Sequence, residues 1–87
     1  MASVLISDTF AATGSSNVVS CHTAVIDLTF AGTATVNIQW AVDGSTFRTI
    51  QSVTASTQYV FEPGVHVPLR LNCSAHTNDV TYKIRTY

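Results

Sequence analysis

The most constraining feature of this chain is the strict alternation from Thr33 to Val42, closed by Asp43-Gly44. Val36, Ile38, Trp40 and Val42 share one parity; Thr35, Asn37, Gln39 and Ala41 share the other. A period of two belongs to a β-strand with one face on a core. Asp43-Gly44 predicts a tight hairpin, because a type I′ turn needs positive φ at both central residues. A two-residue loop there sets Trp40 opposite Phe47, as an aromatic pair at the centre of the core. On the returning strand, Phe47 and Ile50 cannot both face inward in a regular ladder, so Thr46 to Val53 is expected to bulge or end early.

The rest of the chain repeats the pattern. Strands are predicted over Val4–Phe10, Asn17–His22, Ala24–Phe30, Gln58–Glu62, Val65–Ser74 and Val80–Tyr87, separated by turns at Thr13-Gly14-Ser15-Ser16, Ala31-Gly32, Thr54-Ala55-Ser56, Pro63-Gly64 and Ala75 to Asp79. Two residues strain the scheme. Asp8 has the parity of Ile6 and Phe10, so it is expected to cap a loop or end its strand. Pro68 lacks an N–H for a ladder, so its strand is expected at an edge or beginning after it. About eight short strands with closely spaced turn signals and no helical period predict one all-β domain over residues 1–87, an antiparallel β-sandwich or jelly roll.

Composition narrows the function. Val, Ile and Thr make up 29 of the 87 residues, and charged residues are only 10%, against about 25% in an average soluble domain. A small domain buries little surface by itself. A Thr-rich, charge-poor surface is therefore expected to meet protein. Arg48, Arg70, Lys83 and Arg85 form no basic stripe and the net charge is −1, so nucleic-acid binding is not expected. No apolar run approaches a membrane span, and the N-terminal stretch has neither the basic residue nor the apolar length of a secretory signal. A reducing compartment then predicts that Cys21 and Cys73 are buried free thiols, the alternative being a disulfide.

No catalytic, metal or cofactor site is expected. His22, His66 and His76 show no ligand spacing. Asp43 and Asp79 sit in turns, where Asp hydrogen-bonds its own backbone, and Asp27 has outward parity. Cys21 and His22 are adjacent and so point to opposite faces of a strand. Gly14, Gly32, Gly44 and Gly64 are separate turn glycines, with no cluster to cradle a phosphate.

Gly32-Thr33-Ala34-Thr35-Val36, Ile38-Gln39-Trp40, Val42-Asp43-Gly44-Ser45 and Phe47, with Val67-Pro68-Leu69-Arg70-Leu71-Asn72 and Val80-Thr81-Tyr82-Lys83-Ile84-Arg85, resemble segments of short virion proteins of tailed bacteriophages. The resemblance implies a small β-sandwich that assembles on a virion and no catalytic residues. It implies a capsid decoration (cement) protein, a homo-oligomer with a trimer favoured, bound to the major capsid protein on the outer capsid surface and made in the bacterial host cytoplasm. The neck, tail or head fibre are alternative locations. Outward parity makes Leu5, Val19, Val25, Val60 and Tyr87 the candidate assembly contacts. Ile38 to Phe47 is also similar to a hairpin of discoidin-like carbohydrate-binding sandwiches, although Ala41 and Phe47 replace the Ser and Trp of that pattern. Under that alternative the partner is a host-surface glycan, and Tyr59 and Tyr87 are the candidate exposed aromatics.

Overall fold

The computed structural model describes residues 4–86, Val4 by its backbone alone. Nine strands form: β1 (Val4–Phe10), β2 (Gly14–Ser15), β3 (Val19–Cys21), β4 (Ala24–Phe30), β5 (Ala34–Trp40), β6 (Arg48–Val53), β7 (Thr57–Phe61), β8 (Val67–His76) and β9 (Val80–Thr86). They build two antiparallel sheets, ordered β1-β9-β4-β7 and β2-β8-β5-β6, with β3 beside β2 on the same strand, β8. Taken together, β2 and β3 are one interrupted strand. The chain then alternates between sheets in the order of an eight-stranded jelly roll. The all-β sandwich read from the alternation is thus what the chain adopts.

The inward parity of each strand supplies the core. Ile26, Leu28, Val36, Ile38, Leu69, Leu71, Val80 and Ile84 are essentially inaccessible. Trp40 packs on their margin against Phe61, with ring centroids 4.8 Å apart at 73°. One end of the sandwich is tied by loop hydrogen bonds. Ala31 N donates to Asp79 O, Thr77 N and Asn78 N donate to Thr33 O, and Thr33 N donates to Asn78 Oδ1.

Several details differ from the sequence reading, each for a local reason. Trp40 pairs with Arg48, so the connection runs through seven residues, 41 to 47, and Phe47 is not opposite Trp40. Asp43 Oδ1 accepts from Ser45 N at 3.0 Å and Thr46 N at 2.8 Å, and Gly44 N donates to Ala41 O. These bonds hold a wider turn, with Gly44 at φ +85°. Phe47 instead lies beneath the Arg70 guanidinium, 4.1 Å from it. Val42 is 81% exposed, and Ala41 is buried. The expected bulge is present: the register steps between Ile38 and Gln39, leaving Ile50 unopposed and partly buried against the core.

Pro68 is not at an edge, because β8 is interior and begins at Val67. Its carbonyl accepts from Ala41 N, just past the end of β5. A residue's N and C=O point the same way in an antiparallel strand, so the missing N–H faces a place where no strand asks for it. Asp8 neither ends its strand nor caps a separate loop: it pairs with Tyr82 in mid-β1, and its Oδ1 accepts from Thr9 N. Cys21 and Cys73 are buried and free. Cys21 lies opposite Val67, six residues along β8 from Cys73, or about 20 Å in a strand. A disulfide requires Cα atoms within about 7 Å.

Candidate assembly surface

The two outer faces of the sandwich are built differently. On the β2-β8-β5-β6 sheet, Ser15, Asn72, Asn37 and Ser52 form one cross-strand row. Asn72 Nδ2 donates to Ser15 Oγ and Ser52 Oγ donates to Asn37 Oδ1. In the next row Arg70 Nε donates to Gln39 Oε1 at 2.9 Å, and Gln39 Nε2 donates to Thr49 Oγ1. Polar side chains that satisfy one another leave little for a partner to gain.

On the outer face of the β1-β9-β4-β7 sheet, Thr9 and Thr81 make a long hydroxyl contact, and Arg85 also has a partner. The register of this sheet gives three rows. Near the chain termini Leu5, Arg85, Val25 and Val60 lie side by side across all four strands. Ser7, Lys83, Asp27 and Gln58 follow, and Thr9, Thr81 and Thr29 lie beyond them. Leu5 is 52% and Val60 57% exposed, with Val25 half-buried between them. Strand pairing thus brings together three of the five contact candidates, residues far apart in sequence.

The other candidates fare differently. Val19 shares the inward parity of Cys21 and packs against the core, paired with Leu69 of β8 in its own sheet, so it is not an outer-face contact. Tyr87 lies outside the described residues. Tyr59, considered for glycan stacking, shares the parity of Phe61 and turns partly into the core.

Elsewhere the geometry offers little chemistry. His22 and His66 rings meet edge-on at 5.8 Å, and His76 Nε2 is 3.0 Å from Asp79 Oδ1. Among the described residues no group of three His, Cys, Asp or Glu side chains converges on a metal position. Burial pushes the thiols of Cys21 and Cys73 above their ordinary value, away from nucleophilic character. Asp43 is held lower than usual, chiefly by the Thr46 N–H and then that of Ser45, which marks it as a turn former. An open cleft of about 230 Å³ lies beside Trp40, lined by Val42, Asp43, Thr46 and Arg48. The sequence reading did not single it out, because the cleft arises only from the widened connection. Compared with protein-family models, with curated proteins and with solved structures, the chain matches none.

Proposed function

We propose that this protein is a virion structural protein of a tailed bacteriophage, a decoration protein that self-associates on the outer surface of the capsid shell and has no catalytic role. The observation carrying this reading is the row of Leu5, Arg85, Val25 and Val60 on one outer face, with its three exposed or half-buried aliphatic side chains, against a polar ladder of mutual hydrogen bonds on the other. The asymmetry gives the domain one side suited to protein and one suited to water. The jelly-roll strand order is common in capsid proteins, which adds weight only as analogy. The segments resembling phage virion proteins point the same way.

The mechanism is burial. A four-stranded face seven residues long measures roughly 19 × 24 Å from strand spacing and rise. One such face brings at most about 900 Å² of interface counted on both partners, below the roughly 1,000 Å² that a stable interface needs, so one copy does not hold by this face alone. Several joined copies multiply that area across the joints between shell subunits and resist pressure from within. A location in the neck or tail keeps the fold and the face and changes only the partner.

The test is light scattering of the purified protein, alone and mixed with empty capsids, followed by sedimentation. A multimer that co-sediments with capsids, and loses that property in Leu5→Lys, supports the proposal. A protein that ignores capsids overturns it. The Trp40 cleft, with its aromatic wall and Asp43, Thr46 and Arg48, is the observation favouring the second reading, a carbohydrate-binding module. Saturable glycan binding lost in Trp40→Phe is its signature.

A further inference from the structure

A sandwich exposes sheet edges, and unpaired edges invite another strand. Among the described residues the two sheets have four margins, and three are blunted. In β1, Asp8 sits on the inward-facing parity of the edge, opposite Tyr82. The β2/β3 margin is broken into pieces of two and three residues. β6 carries the bulge at Ile50. The fourth, β7, has no such device: Thr57-Gln58-Tyr59-Val60-Phe61 holds no charge, proline or glycine and pairs with β4 in five consecutive regular positions. An open trough of about 440 Å³ lies at the β6–β7 connection, lined by residues 51 to 57 and Tyr59.

We infer that β7 is the site where a second copy of this chain adds its own β7, antiparallel, across a two-fold axis at Val60. Self-complementarity selects this occupant and this register. Val60 opposite Val60 joins the Val25–Val60 pairs of the two copies into one apolar run across four strands, with Arg85 and then Leu5 beyond it on each side. The same register sets Tyr59 opposite Phe61 of the second copy, an aromatic cross-strand pair. It also sets Gln58 opposite Glu62 and Thr57 opposite Pro63 of the second copy, so residues 59 to 61 of the two β7 strands form the shared ladder and no like charges meet. Centring on Tyr59 would instead put Val60 against Gln58 and break the run. The inference deepens the assembly reading of this face, on which it rests for the value of that apolar run, and it makes a dimer the unit that meets the shell.

Cysteine cross-linking tests it, since both native thiols are buried. Under mild oxidation Val60→Cys should form a disulfide-linked dimer, cleaved by reductant. Val25→Cys should not, because three strand spacings, about 14 Å, separate the two copies of that residue. Leu5→Cys, farther still, should not either. Val60→Lys should convert the wild-type dimer to monomer in light scattering without changing the circular dichroism spectrum. A wild-type monomer or trimer, or a dimer linked through Val25→Cys instead of Val60→Cys, overturns the inference. Capsid association by a protein that fails these tests leaves the assembly reading standing. A Val60-linked dimer that ignores capsids removes the assembly reading and keeps the dimer.

Discussion

Trp40 and Phe61 belong to opposite sheets and meet edge to face across the margin of the core, 4.8 Å between ring centroids. Phe47, in the loop that follows Trp40, packs instead under Arg70 on the outer face of its sheet. The two phenylalanines should therefore differ sharply. Phe61→Ala is expected to cost about 3–5 kcal/mol, a large part of what a domain of this size holds. Phe47→Ala should cost about 1 kcal/mol, the scale of an exposed cation–π contact. Urea unfolding followed by Trp40 fluorescence measures both. Equal losses, or a larger loss for Phe47→Ala, would contradict the observed packing.

That contrast shows where the sequence was legible. β1, β4, β5 and β9 could be read almost residue by residue, because a period of two survives any arrangement of neighbours. Trp40's partner could not, since loop length depends on which amides the Asp43 carboxylate captures. Val18 and Val19 are adjacent apolar residues, so parity alone leaves the phase of β3 open; only its pairing with β8 turns Val19 inward. The outer-face row was half visible. Leu5, Val25 and Val60 have readable outward parity, but their meeting depends on register across four strands, and no local pattern encodes that.

Gly32 has no room for a side chain, because a Cβ there would collide with the Asn78 amide. That amide accepts from Thr33 N and closes the looped end of the sandwich. Gly32→Ala should displace it and cost about 1–3 kcal/mol. Asn78→Ala loses one exposed hydrogen bond, about 1 kcal/mol, and vacates the space. In the double variant the two costs should fall well short of adding, which is the mark of direct contact. Simple additivity in denaturant titrations would contradict the contact.

Asp43 makes the 41 to 47 connection sensitive to acid. The Thr46 and Ser45 amides lower its carboxyl below the ordinary 3.8. A carboxylate lowered on folding stabilises fully above its unfolded value and loses that contribution as pH falls through the folded one, so the loss begins below about pH 4. Asp43→Asn keeps an oxygen acceptor for both amides but does not titrate. The difference in Tm between wild type and Asp43→Asn should shrink between pH 6 and pH 2. A constant difference over that range would remove Asp43 from the acid response.

The two buried thiols should respond differently to replacement. The Cys73 thiol has an acceptor, Ala75 O at 3.4 Å, and a hydroxyl there can donate to the same oxygen. Cys21 is fully buried, and no acceptor is placed for its thiol among the described residues. Cys21→Ser therefore buries an unsatisfied hydroxyl and should cost about 1–3 kcal/mol, while Cys73→Ser should cost clearly less. Both native thiols are raised by burial above their ordinary 9.0. Their contribution to stability is present below that value and is lost as pH rises through the folded ones. At pH 8 neither thiol should react with an aromatic disulfide reagent until the protein unfolds, when both should titrate. Rapid labelling of either thiol in the native protein would mean that its strand opens far more readily than its burial implies.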